Sequence, residues 1–145
     1  MPLEGVYEPS PFSYAADQVA QYEATDGKEG GTLEGKQCVI LTTRGRKSGQ
    51  LRKSPLMRVE HDGEYAVVAS MGGAPKHPVW YLNLEADPAV VLQDHAKVLD
   101  LTARTATPEE KAVWWPICVE AWPGYAEYQT KTDRDIPVVL FSPRT

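Results

Sequence analysis

The densest chemistry in the chain is Arg44-Gly45-Arg46-Lys47-Ser48-Gly49-Gln50-Leu51-Arg52-Lys53-Ser54-Pro55. Two glycines flank Arg46, Lys47 and Ser48, so backbone N–H groups can turn toward an anion while the side chains supply charge-assisted hydrogen bonds. The spacing does not fit GxxxxGK[ST], because Gly45 and Gly49 enclose three residues and a strand follows rather than a helix. A basic loop is by default a solvated hairpin. Arg52, close behind the loop in a segment with no acidic residue, favours a grip on the phosphate or carboxylate of a small molecule.

Two further groups bear on chemistry. Ala69-Ser70-Met71-Gly72-Gly73 ends a strand with a small hydroxyl and two flexible residues, where a planar ligand can approach the backbone closely. Trp122, Tyr125 and Tyr128 are spaced three apart in a helical stretch and share a face there. They are expected to line a pocket wall, with phenols able to donate a hydrogen bond or a proton. Trp80, Trp114 and Trp115 read as core. His61, His77 and His95 lack ligand spacing, so no metal site is expected. GxSxG and GxGxxG are both missing, which disfavours covalent hydrolysis and a nicotinamide Rossmann site.

The 145 residues, 42% hydrophobic, predict one domain over 1–145, since domains run to roughly 100–200 residues. The longest apolar run, Ala112 to Val119, covers eight residues, and a membrane span needs ~20. An acidic, proline-containing N-terminus unlike a secretory signal and only two cysteines predict a cytoplasmic protein indifferent to thiol chemistry. The net charge of −5 hides an asymmetry. Between Gly35 and Val59 stand seven basic residues and no acidic one, leaving 8 basic against 20 acidic residues elsewhere. Such a chain suits one small anion at one place and not a nucleic-acid backbone.

The elements that must position these residues follow from periodicity. Phe12, Ala15, Ala16, Val19 and Tyr22 predict an amphipathic helix over about 11–25. Strands are expected at Gln37–Thr43, Leu51–Val59, Tyr65–Met71, Ala89–Gln93, Val98–Ala106 and Ile136–Phe141, with a hairpin turn at Asp62-Gly63 and an edge or bulge at Pro55. Pro78 to Leu84 predicts a short helix with Pro78 in its first turn. Thr107-Pro108-Glu109-Glu110 predicts a capped helix reaching Ala121, kinked or interrupted at Pro116, and Tyr125–Thr130 another. The sum is a small α+β fold of five to six mostly antiparallel strands, a barrel-like sheet with peripheral helices.

GRKSGQLRKSPL, ASMGGAPKHPVWYLNL, VLDLTART and YAEYQTKTDRDIPVVLF, in that order, resemble the deazaflavin-dependent nitroreductase family from about Gly5 to the C-terminus. The resemblance implies a split β-barrel of the flavin-mononucleotide-binding type and coenzyme F420, an 8-hydroxy-5-deazaflavin with a phosphate and an oligoglutamate tail. It places coenzyme contacts on Arg46, Lys47, Ser48, then Arg52, Lys53, Ser54, Pro55, Leu56 and Met57, then Val68, Ala69, Ser70 and Met71, then Val79, Trp80, Tyr81, Leu82 and Asn83, with Tyr125 near the ring. Lys47 and Arg52 carry the strongest phosphate contacts in that pattern. Met57, Ser70, Trp122, Tyr125 and Tyr128 match positions facing the acceptor, with Ser70, Tyr125 and Tyr128 as catalytic candidates. The implied reaction is hydride transfer to an electron-poor acceptor: a quinone, an activated enone or a nitroaromatic. Trp122 and Met57 stand where nitroimidazole-reducing members carry tyrosines, which turns the expectation toward a quinone or enone. Alternatives are an oxidoreductase using flavin mononucleotide on the same barrel and a non-catalytic deazaflavin carrier. The family also touches membranes peripherally when quinones are substrates, and Glu4, Glu8 and Asp17 give that contact little electrostatic support here. The expected location is cytoplasmic, at most peripheral to the inner face of the cell membrane. The oligomeric state is not read from one chain.

Overall fold

The apolar run at residues 37–43 forms β2 (Lys36–Arg44), preceded by a short β1 (Thr32–Leu33). In this computed structural model, which describes residues 3, 5–33 and 35–144, Cys38 to Thr43 are all buried. Glu4, invoked above, lies outside the described residues. A strand covered on both faces needs no polar alternation. α1 (Ser13–Thr25) covers one face, packing Val19 and Tyr22 on Cys38 and Ile40, while Val39 and Leu41 face the main core.

β3 (Leu51–Met57) returns antiparallel with Pro55 opposite Ile40, and β2 is its one partner in the sheet. Pro55 therefore stands at a free edge, where its missing N–H costs no ladder bond. The expected strand to Val59 breaks at Arg58, whose side chain turns to Asp94, and β4 (Val59–His61) follows. Asp62 and Gly63 take φ of 53° and 82°, the hairpin turn read from Asp-Gly.

β5 (Glu64–Val68) ends before the expected Met71. Met71–Gly73 instead forms a single 3-10 turn in which all three residues have positive φ. Pro78 is the N-cap of α2 (Val79–Ala86) and not part of its first turn. β6 (Ala89–Asp94) and β7 (Lys97–Thr105) form the expected hairpin, and β6 pairs with β2. α3 (Pro108–Ala121) opens with the capping box of Thr107 and Glu110, as read from the sequence, and runs on through Pro116 without interruption. α4 (Gly124–Thr130) and β8 (Val138–Pro143) complete the chain, with β8 between β5 and β7.

Among the described residues eight strands rather than five or six form one curled antiparallel sheet, ordered β1-β2-β6-β7-β8-β5-β4, with β3 on the side of β2. β3 and β4 share no ladder, so the barrel is split. Its interior is filled by Val67, Trp80, Leu84, Leu92 and Val139, and α3 and α4 cover β5 and β8 through Trp114, Cys118, Tyr125 and Val138. Burial pushes the Cys38 thiol up to about 11 and the Cys118 thiol to about 12, which keeps both protonated.

One buried charge ties the closed side together. Arg58 Nε lies 3.0 Å from both Asp94 oxygens, Tyr65 Oη donates to Asp94 at 2.5 Å, and His95 Nδ1 is 3.0 Å away. Burial alone raises the Asp94 pKa, but the bonds from Tyr65, His95 and Arg58 outweigh it and hold the carboxyl below its ordinary value. A depressed folded pKa stabilises above the unfolded value and is lost as pH falls through the folded one. Asp94→Asn is therefore expected to lower unfolding free energy at pH 7 by about 1–3 kcal/mol. The deficit should shrink at acid pH in urea melts, whereas a pH-independent deficit would assign the effect to packing.

Candidate active site

The loop between β2 and β3 is closed by Gly45 N–H donating to Gln50 O at 2.7 Å and Gly49 N–H to Gly45 O at 2.8 Å. Gly49, at φ 74°, makes the left-handed turn this needs. Buried Asn83 reaches in from α2, accepting from Arg46 N–H at 3.1 Å and donating to Thr43 Oγ1 at 3.3 Å. The Arg46 amide is therefore committed, which corrects the picture of all loop amides facing an anion. Those of Lys47 and Ser48 have no intramolecular acceptor among the described residues.

Nor is the cationic segment free of acidic partners. The fold brings Asp87 to Arg44 at 3.6 Å, Glu8 to Arg52 at 3.0 Å, Glu23 to Lys53 at 2.5 Å and Asp94 to Arg58. Exposed Arg46 and Lys47 keep no carboxylate partner among the described residues. With Ser48, Arg52 and Asn83 they line a recess of 310 Å³.

Arg52, Val79 and Asn83 also line a second recess of 290 Å³, together with Lys53, Ser54, Trp80 and the start of α1 at Phe12. Trp80 in turn reaches an aromatic cavity of 280 Å³. The three lie in series along β3 and α2, the first two sharing Arg52, Val79 and Asn83 and the last two sharing Trp80, and together they outline a groove. The aromatic end takes Pro55, Leu56 and Met57 from the free edge of β3, Val68 from β5, Ser70 and Met71 from the 3-10 turn, and Trp122, Tyr125 and Tyr128.

Trp122 does not share a helix with the tyrosines: it caps the C-terminus of α3 while they stand on α4. The three meet in space all the same, and Trp122 Nε1 donates to Tyr128 Oη at 3.3 Å. Tyr125 is buried, with its ring 6.2 Å from that of Tyr128 at 72°. Burial, with Cys118 and Tyr128 adding to it, pushes its phenol well above the ordinary tyrosine value. Among the described residues no fully buried side-chain polar atom lacks a partner and the Tyr125 hydroxyl has none among them, so it reaches the accessible wall of the cavity.

Not every predicted contact is brought to the groove. Tyr81 is buried in the barrel core with its hydroxyl 2.7 Å from Thr105 Oγ1, Leu82 lines none of the three recesses, and Ala69 is fully buried.

Sequence reasoning missed Arg134, two residues before the apolar run Ile136–Phe141. Its guanidinium donates to Ala69 O at 3.0 Å, Ser70 O at 2.8 Å and Ala74 O at 3.1 and 3.0 Å, and contacts His77 Nδ1 at 2.9 Å. It thereby holds the 3-10 turn, which also abuts α4: a Cβ on Gly73 would stand 2.7 Å from Tyr128 O. The one signal was its place in the motif TDRDIPVV, where the flanking Asp133 and Asp135 suggested an ordinary surface charge cluster. Arg134→Lys keeps the charge but loses the planar fork, so turnover is expected to fall about tenfold with smaller loss of coenzyme affinity. Equal losses in both would mean that the whole groove depends on Arg134.

A split barrel whose groove joins uncompensated cations to an aromatic cavity fits an elongated ligand with a planar ring and an anionic tail. Flavins and deazaflavins have that shape. Residues 15–143 match the family model described as F420H(2)-dependent quinone reductase. The F420H(2)-dependent quinone reductase Rv1261c of Mycobacterium tuberculosis is 36% identical over 129 residues, covering 86% of this chain and 87% of that protein. The solved structure of an F420-H2 dependent reductase, FDR-A, is 58% identical with a TM-score of 0.68, over 72% of this chain and 93% of that one. Another, described as a domain-swapped dimer, is 50% identical with a TM-score of 0.72, over 92% and 100%. The chain belongs to the F420H(2)-dependent quinone reductase family. It is an F420H2-dependent reductase, and coenzyme F420 is its cofactor.

Proposed function

We propose that the groove seats coenzyme F420 with its phosphate at Arg46, Lys47, Ser48 and Arg52 and its ring between Trp80 and Pro55–Met57, leaving Met57, Ser70, Trp122, Tyr125 and Tyr128 to face a quinone. The observation that carries this reading is the series of recesses, linked by Arg52, Val79, Asn83 and Trp80, that leads from unpaired cations to phenols. Bound and reduced, the coenzyme supplies the hydride. The chain's residues do the rest. Arg46, Lys47 and Arg52 neutralise the anionic end, and Trp80 and the β3 edge fix the ring. The Tyr125 phenol, kept neutral by burial, donates a hydrogen bond to the acceptor oxygen on which negative charge develops. Tyr128, oriented by Trp122, stands beside it as the second hydroxyl.

The reading makes the chain one catalytic domain. No helix among the described residues is long and apolar enough to cross a membrane. Exposed Phe12, Met71 and Val79 rim the groove, which supports a cytoplasmic enzyme meeting lipid quinones at the membrane surface. The test is to titrate purified protein with coenzyme F420 and with flavin mononucleotide, then to mix the reduced deazaflavin with menadione or a cyclic enone and follow reoxidation. Tight deazaflavin binding with reoxidation that depends on the quinone is expected. Preference for flavin mononucleotide, or binding without reoxidation, would sink the proposal.

A further inference from the structure

Within the cationic recess sits a carboxylate of the protein's own. Glu8 Oε1 lies 3.0 Å from Arg52 Nη1 and accepts from Ser48 Oγ at 3.5 Å. This is not the wandering side chain of a loose terminus. Glu8 N–H donates to Leu51 O at 2.8 Å, Leu51 N–H donates to Val6 O at 2.7 Å, and Tyr7 bridges Leu51 in parallel. The Lys53 ammonium stands 4.7 Å from the centroid of the Tyr7 ring. Residues 6–8 thus form a strap on the start of β3, bonded through Val6 and through the backbone of Glu8, the residue that enters the anion site.

From this we infer that Glu8 is an internal competitor for the anion end of the coenzyme site: it holds Arg52 and Ser48 when the coenzyme is absent and gives them up to the coenzyme's phosphate. The inference rests on the groove reading above. The geometry favours exchange. Glu8 engages Arg52 through one contact, whereas a phosphate offers several acceptor oxygens to the guanidinium fork. Both partners are partly exposed, the Glu8 side chain at 42% and Arg52 at 30%, so the pair is weak enough to be displaced. The strap keeps the displaced carboxylate close to the incoming anion, and their repulsion adds to the cost of losing the pair. Glu8 therefore tunes affinity for the anionic end without touching the reacting ring.

Glu8→Gln keeps the shape and removes the charge. Fluorescence titration of the full chain is expected to show coenzyme F420 binding about three- to tenfold tighter in the variant than in the parent. Affinity for the phosphate-free 8-hydroxy-5-deazariboflavin head should be unchanged, and Glu8→Ala should move F420 affinity in the same direction. Unchanged or weaker F420 binding in Glu8→Gln, with the parent binding normally, would overturn the inference alone, as would equal tightening for the phosphate-free head. A parent that does not bind F420 would remove the groove reading and this inference together.

Discussion

Arg52→Ala is expected to weaken coenzyme F420 binding about 10- to 100-fold, because a hydrogen bond to a charged group contributes roughly 1.5–3 kcal/mol. Arg52 is the choice because it lines both the cationic recess and the recess that leads to Trp80, which in the proposed pose is where anion and ring meet. In the parent part of the gain from Arg52 is offset, because Arg52 must first give up Glu8. Arg52→Ala made in a Glu8→Gln background should accordingly cost more than in the parent, a double-mutant cycle that measures the competition. Lys47→Ala should act in the same direction with a smaller effect, since the ammonium is a solvated point charge without the guanidinium fork. Both losses should diminish as salt is added. A loss under threefold for Arg52→Ala at low salt would place the anion elsewhere.

Tyr125→Phe carries the other large expectation. Removing one donor aimed at a developing oxyanion costs about 10²–10³-fold in turnover in well-formed sites, and that is the fall expected in quinone reduction. Coenzyme affinity should stay within about twofold, because hydroxyl loss leaves the ring packing of Tyr125 in place and hydrogen-bond removal acts on the acceptor. The sign of the pH dependence follows from burial. A phenol pushed above its ordinary pKa remains protonated past pH ~10, so parent turnover should show no alkaline decline from Tyr125 across the neutral and mildly basic range. Parallel losses of turnover and coenzyme affinity would make Tyr125 part of the ring pocket and not the donor. Tyr128→Phe removes the hydroxyl that accepts from Trp122, and comparing the two variants assigns the stronger donor.

Chemistry between near neighbours was legible from the residue string. Thr107 and Glu110 cap their helix, Asp62-Gly63 turns the hairpin, and Pro55 marks the free edge, because in each case the interacting groups lie within a few residues of one another. The motif order carried the family, and with it the split barrel and the cofactor. The stretch of seven cations looked unopposed along the chain, yet folding brought Glu8, Glu23, Asp87 and Asp94 to four of them and left Lys36, Arg46 and Lys47 without a carboxylate among the described residues, the last two in the cationic recess. Trp122 was grouped with Tyr125 and Tyr128 by its spacing of three although the helices read from the sequence end at Ala121 and resume at Tyr125, and the fold puts it at the end of α3. Arg134 grips carbonyls 60 to 65 residues away, and no local pattern announces such a partner. The sequence by itself determined the elements, the basic loop, the aromatic wall and the family. The tertiary structure alone decided which charges are cancelled, which amides are spent and which hydroxyl faces the cavity, because those outcomes depend on distances that are set only when the sheet curls and residues far apart in the chain become neighbours.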